Sequence, residues 1–132
     1  QRPVTLVRLP GGQQDRPATL LVTVEGSRRA AQAALGVPLD LRRFRPNLHL
    51  DLDAEPYDEE GWIGRRLRVG QAELEVMQGC VRCVIPTRDP DTQAKWPGLM
   101  RWLAAERAMT FGVIVRATGP AVVRQNDPVA LL

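Results

Sequence analysis

Residues Arg65–Asp91 read RRLRVGQAELEVMQGCVRCVIPTRDPD, and the first half of this stretch decides the fold. Two alternating runs, Arg65–Val69 and Ala72–Met77, flank the pair Gly70-Gln71. A Gly-X pair between such runs suits a type II′ turn, so the stretch predicts a β-hairpin with Leu67, Val69, Ala72, Leu74 and Val76 facing inward. The hairpin runs straight into Gly79–Asp91, which holds both cysteines, Cys80 and Cys83, together with Arg82, Thr87, Arg88, Asp89 and Asp91. A core needs none of these groups, so this segment reads as chemistry presented from a rigid sheet.

The flanking sequence extends the pattern in both directions. Val4–Val7 reads as a short edge strand before a Gly11-Gly12 loop, and Thr19–Val24 (TLLVTV) as a buried strand. Ser27 is placed to cap a helix whose stripe is Ala30, Ala31, Ala34 and Leu35, stopped by Gly36 and Pro38. Leu48, Leu50 and Leu52 alternate with polar residues, as in a half-buried strand, and Pro46 favours an extended backbone at Arg45. Arg42, Arg43 and Arg45 precede that strand, and any single one of them is most simply a solvated charge.

Beyond the cysteines, Pro97 sits in a first helical turn, with Trp96, Leu99, Met100 and Leu103 forming a core-facing stripe to about Arg107. Strands follow at Phe111–Ala117, Val122–Arg124 and Val129–Leu132, separated by Gly119-Pro120 and Asn126-Asp127-Pro128 turns. Short strands with turn signals and two short helices predict a mainly β protein, an antiparallel sheet curled into a barrel-like fold rather than an alternating βαβ chain.

Composition narrows the function classes. The chain has 132 residues, enough for one domain with a real core. Its net charge is +3, carried almost entirely by scattered arginine, with Lys95 the single lysine. Without a basic run interleaved with aromatics, no nucleic-acid partner is expected. Arginine in place of lysine fits planar, bidentate recognition of phosphate or carboxylate. No apolar run reaches membrane-span length. Two cysteines three apart, without a disulfide framework, lead to the expectation of a reducing cytoplasm.

On its own a C-x-x-C is compatible with a redox pair, half of a zinc site, or two small hydrophobes. A closed zinc site wants four ligands, and beyond the cysteines the chain offers one imidazole, His49. Thioredoxin-like chemistry wants the pair at a helix N-terminus. Here Pro86 follows Cys83 by three residues, and no helix is expected to begin there.

The order of the motifs adds a further reading. FRPN (Phe44–Asn47), a W-x-G-x-x-L-x-x-G hairpin (Trp62, Gly64, Leu67, Gly70), C-x-R-C, T-x-D-P-D-T, FG and the terminal NDPVALL together resemble a MOSC domain. This is the C-terminal domain of molybdenum cofactor sulfurases. The likeness spans about Thr19–Leu132, also takes in the run Asp15-Arg16-Pro17-Ala18, and is nearest to the branch of the mitochondrial amidoxime-reducing component and its bacterial relatives. Two positions depart from that branch: Gln93 stands where Gly is common, and Pro86 where Thr is common. Both bear on the geometry of the loop.

The resemblance implies a β-barrel-like fold and a pterin-based molybdenum cofactor. It implies Cys83 as metal ligand and catalytic residue. It further implies Arg45, Asn47, Val81, Arg82, Thr87 and Asp89 around the pterin and its phosphate. A soft thiolate suits molybdenum, and Arg82 next to Cys83 in sequence is expected to favour it. Cys80 receives no clear role: it is expected either to support the site from behind its ligand or merely to pack.

Three functions are compatible with the resemblance. One is a molybdenum-dependent reductase of N-hydroxylated substrates, re-reduced by a ferredoxin-like or cytochrome b5-like donor. Another is a persulfide sulfur carrier on Cys83, supplied by a pyridoxal phosphate-dependent desulfurase domain. The third is a cofactor-binding domain without turnover. Because the chain starts at Gln1, residues 1–18 are expected to be the end of an N-terminal barrel domain, with the MOSC domain at 19–132.

Overall fold

The computed structural model describes residues 3–6 and 19–132. Among them eight strands, two α-helices and three short 3₁₀ turns follow one another. The strands are β1 (Pro3–Leu6), β2 (Thr19–Val24), β3 (Leu48–Leu50), β4 (Arg66–Val69), β5 (Ala72–Val81), β6 (Thr110–Ala117), β7 (Ala121–Arg124) and β8 (Val129–Leu131). The helices are α1 (Glu25–Leu35) and α2 (Pro97–Glu106). Six strands form one nearly closed, barrel-like sheet in the order β3-β2-β6-β5-β4-β8, while β1 and β7 pair separately. All pairs are antiparallel except β2 with β3, which run parallel. Gly11-Gly12 and the Asp15–Ala18 run lie outside the described residues.

The hairpin forms as its alternation requires. Leu67, Val69, Ala72, Leu74 and Val76 are all buried, and Val69 pairs with Ala72 across a two-residue turn. Gly70 takes φ +57°, the left-handed conformation this turn needs. A Cβ there would also fall 2.3 Å from an Asp127 carboxylate oxygen, so glycine lets the hairpin tip meet the last turn. With Leu67 and Leu74 fully enclosed, each contributes about 1.5–3 kcal/mol of burial, which anchors the base of the cysteine segment. The second strand is longer than its alternation suggests. A register shift at Val76/Gln78 and another at Gly79/Val81 carry β5 on through Cys80. Extra residues of this kind re-aim side chains at functional edges.

Three local expectations are corrected. Helix α1 begins at Glu25, two residues before Ser27, and Val24 precedes it without a side-chain cap. The Glu25 carboxylate occupies the positive end of the helix, where negative charge is favoured. Its Oε1 and Oε2 accept from Arg28 at 2.7 and 2.8 Å, and it also meets Arg29 and His49. The Arg28 guanidinium holds this carboxyl well below the usual range. Ser27 is instead buried, accepting from the Tyr57 N–H and donating to Glu59 Oε2, both at 2.8 Å. A one-turn 3₁₀ helix at Ile85–Thr87 does follow the cysteines, although no helix was expected there. Finally, Arg45 is left-handed (φ 53°, ψ 49°) rather than extended, because it closes the 3₁₀ turn Leu41–Phe44 through its N–H to the Arg42 carbonyl. Proline disfavours the right-handed helical region for the residue before it, and the turn takes the left-handed one.

The barrel interior gathers Val22, Val24, Leu50, Leu67, Leu74, Val76, Val113 and Val115. A second cluster joins both helices to the 3₁₀ turn: Ala31, Leu39, Phe44, Leu99, Leu103 and Phe111. Gly112 beside Phe111 is left-handed (φ +82°), and a Cβ there would come within 2.8 Å of the Val22 carbonyl. The FG pair is therefore a packing device of β6 on β2.

Glu59 is 1% exposed, and its burial pushes its carboxyl above the ordinary range. A raised folded-state value means the penalty is absent below the unfolded value, about 4.3. It grows as pH rises toward the folded value. Glu59→Gln keeps an oxygen to accept from Ser27 and removes the charge. Its stability should match the native chain near pH 4 and exceed it at pH 7, as read from urea midpoints; a constant difference across this range would refute the assignment.

Candidate functional site

Cys83 lies just past the end of β5 and is exposed, as are Val81 (72%), Val84 (64%) and Ile85 (44%) around it. Opposite stands the 3₁₀ turn Leu41–Phe44 with Arg45, whose side chain is also exposed. Arg82 joins these two segments. Its Nη2 donates to the Phe44 carbonyl at 2.7 Å, and its guanidinium carbon lies 5.4 Å from the centre of the Phe44 ring. Its Nη1 donates to Cys80 Sγ at 3.2 Å. The sulfur that receives the guanidinium is therefore that of Cys80, not Cys83 as adjacency in sequence suggests. β5 ends at Val81, so Arg82 and Cys83 leave the strand, and the Arg82 side chain turns back to the last cysteine inside it.

A second arginine runs the other way. Arg43, only 11% exposed at its side chain, donates to the Pro86 carbonyl at 3.1 Å and reaches Asp89 at 3.7 Å. Its guanidinium also lies over Trp96, 5.0 Å from the ring centre. Arg42 forks between Asp40 and Asp91, at 2.7 and 2.8 Å, on the open surface. Sequence reasoning treated Arg42 and Arg43 as solvated charge. The signal available was two arginines immediately before FRPN, Arg42 and Arg43, and three carboxylates for them at Asp40, Asp89 and Asp91.

Other candidate residues organise the backbone. Asp89 Oδ1 accepts from the N–H groups of Asp91 and Thr92, both at 2.8 Å, and these hold its carboxyl below the usual range. Thr87 is buried, and its hydroxyl donates to the Val84 carbonyl at 2.5 Å. Its own carbonyl accepts from Trp96 at 2.7 Å. Asn47 is tied to β2: its Oδ1 accepts from the Leu21 N–H at 2.7 Å, and its N–H donates to the Leu21 carbonyl at 2.9 Å. Gln93 is left-handed (φ 64°), which gives a backbone reason why glycine suits that position. Pro86 is the second residue of the 3₁₀ turn and is buried.

His49 does not join the cysteines. Its Nδ1 lies 2.8 Å from the Thr23 hydroxyl and its Nε2 2.9 Å from Glu25, a chain that ties β3 to β2 and α1. Among the described residues no three Cys, His, Asp or Glu side chains gather as metal ligands. A groove of 660 Å³ opens between the edge strands β3 and β8, lined among others by Asn47, His49, Asp51, Arg124 and Asp127. It includes Asn47 of the candidate residues but not Cys83. The exposed thiol and its arginine frame outweigh the groove as a chemical site.

A nearly closed β-sheet domain that displays one cysteine beside an arginine-strapped turn defines a class of fold and site. The chain belongs to the MOSC domain family, whose model matches residues 12–130. The human mitochondrial amidoxime-reducing component 1 is 28% identical over 125 residues, covering 85% of this chain and 36% of that protein. The rice (Oryza sativa subsp. japonica) molybdenum cofactor sulfurase is 45% identical over 47 residues, covering 36% of this chain and 5% of that one. This chain thus spans well under half the length of these relatives. In structure, YiiM from Geobacillus stearothermophilus superposes with a TM-score of 0.65 at 15% identity, over 99% of this chain and 60% of that one, a likeness of fold.

The loop after Cys83 is built on the Asp89 carboxylate, which leads to a test. Asp89→Asn keeps an oxygen for both N–H groups, and Asp89→Ala removes it. Amide exchange at Asp91 and Thr92 should rise several-fold in the alanine variant and stay near native in the asparagine variant. Equal exchange in both would show that the turn does not depend on this acceptor.

Proposed function

We propose that this domain holds a pterin-based molybdenum cofactor through the Cys83 thiolate and serves the reduction of N–O bonds in N-hydroxylated substrates. The observation that carries the reading is that an exposed cysteine, Cys83, and an exposed arginine, Arg45, sit on segments joined by the Arg82–Phe44 bond. The donor set fits the group. One thiolate is enough where the remaining ligands come from a pterin and oxo groups, and sulfur suits molybdenum. The match to amidoxime-reducing components supports the substrate class.

In this reading Cys83 is the metal ligand and Arg45 donates to the pterin phosphate. Val81, Asn47 and Thr87 shape the surrounding backbone, and Arg82 and Asp89 fix the two loops. The cofactor would supply two-electron oxygen-atom chemistry, while the protein binds and orients it. A preceding barrel domain and a ferredoxin-like or cytochrome b5-like electron donor are the partners this reading requires.

The match to molybdenum cofactor sulfurases and the exposure of Cys83 favour a second reading. In it Cys83 carries a persulfide supplied by a pyridoxal phosphate-dependent desulfurase. Protein from a host that makes the cofactor separates the two. Molybdenum and pterin fluorescence support the first, whereas cyanide-labile sulfur without molybdenum supports the second.

Cys83→Ser should abolish bound molybdenum with an unchanged fold, and Cys80→Ser should retain most of it. Equal loss in both would overturn the single-ligand assignment. Arg45→Ala should weaken cofactor retention by about 1.5–3 kcal/mol, the range for a charge-assisted contact, with the apo melting temperature unchanged. A large fall in apo melting temperature would instead make Arg45 a structural residue.

A further inference from the structure

Two segments bear the groups assigned above: the turn Leu41–Arg45 and the stretch Val81–Asp89. They come from distant parts of the chain, and each donates one arginine to the other's backbone. Arg82, beside Cys83, gives Nη2 to the carbonyl of Phe44, beside Arg45. Arg43, two residues before Arg45, gives Nη1 to the carbonyl of Pro86, three residues after Cys83. The two bonds are reciprocal, and a pair of opposed bonds resists sliding as well as separation.

Arg43 is well placed to act through this clasp. Its side chain is largely shielded, and the same guanidinium rests on Trp96 and faces Asp89. It therefore joins three points of the loop at once. Arg42 makes an ion pair to Asp91 with both side chains more than half exposed. Such pairs hold little.

We propose that Arg43 is a positioning residue, which with Arg82 fixes the distance between the Cys83 thiol and the Arg45 guanidinium. The proposal rests on the reading that Cys83 and Arg45 share one site. It does not depend on what that site binds. The fork matters rather than the charge alone, because a lysine ammonium cannot reach Pro86 and Asp89 together while lying flat on Trp96.

The test uses the full chain without added cofactor and reads the thiols directly. Rates of alkylation by iodoacetate (anionic) and iodoacetamide (neutral) are measured at each cysteine by mass spectrometry. Trypsin cleavage after Arg68, Arg82 and Arg88 places Cys80 and Cys83 on separate peptides. The ratio of the two rates cancels simple exposure and reports the positive charge near each sulfur. Arg45→Ala should lower the ratio at Cys83 by roughly twofold to threefold, the size a single nearby charge gives through water. Arg43→Ala and Arg43→Lys should each lower it by a comparable factor, with the ratio at Cys80 unchanged.

Three results would overturn the proposal. A Cys83 ratio insensitive to Arg45 would mean the two groups are not held together. A native ratio in Arg43→Lys beside a lowered one in Arg43→Ala would mean that Arg43 acts by charge alone. Loss of the whole fold, by circular dichroism, in both Arg43 variants would make it a general structural residue. Molybdenum content measured on the same variants stays separate: its absence would remove the cofactor reading and leave the thiol result standing.

Discussion

The face-to-face contact of Phe44 with Phe111 fixes where everything near the cysteines can be. Their ring centres are 4.1 Å apart and nearly parallel, and Tyr57 meets Phe111 edge-on at 6.4 Å. Arg82 lies over the outer face of this array at Phe44, and Arg107 lies 3.5 Å from the Tyr57 ring centre while pairing with Glu60. Each aromatic pair adds about 0.5–1.5 kcal/mol beyond burial, and each guanidinium contact about 0.5–2. Those amounts are modest beside two hydrophobic clusters, so the array's main effect is geometric. It brings the Leu41–Phe44 turn to the end of β5, where Phe44 can offer its carbonyl to Arg82. Both guanidinium Nε atoms are buried without hydrogen-bond partners. The flat faces of Arg82 and Arg107 are committed to rings, and the fork atoms alone are left for polar contacts.

The sheet was largely legible because alternation is a local property. Leu67, Val69, Leu74 and Val76 announce an inward face without reference to any other segment, and all are buried. The turn residues, likewise, carry their own conformational requirement, as Gly70 shows. The misreadings arose where a side chain had a choice of partners far away in sequence. Ser27 looked like a cap and was taken instead by Tyr57 and Glu59, about thirty residues on. Arg45 obeyed the turn that precedes it as well as the proline that follows. Arg82 is adjacent to Cys83 along the chain but donates to the sulfur of Cys80.

The motifs behind the family resemblance divide, in the structure, into scaffold and display. Asn47 of FRPN extends the β2–β3 pairing through its side-chain oxygen, Gly112 of FG lets two strands approach, and Asp89 of the D-P-D run closes a turn. Thr87 binds its own loop. Arg45 and Cys83 are exposed, each next in sequence to one partner of the Arg82–Phe44 bond. The members of these motifs serve one another's geometry, so the placement of Arg45 and Cys83 depends on the rest.

Backbone strain points to the same place. Six non-glycine residues among those described have positive φ, and four of them, Arg45, Gln93, Ala108 and Met109, border the cysteine segment. Arg45 and Gln93 close the two loops that flank Cys83. Met109 receives the Arg82 N–H on its carbonyl at 2.7 Å, so its left-handed turn supports the strand end that carries the cysteines. Each such conformation costs of order 1–3 kcal/mol and persists where the surroundings over-determine it. Here the surroundings are the aromatic array and the two arginine–carbonyl bonds. Strain that a hydrophobic core would not require is thus concentrated beside the strand end that carries the cysteines, where packing and hydrogen bonds hold the loops in one geometry.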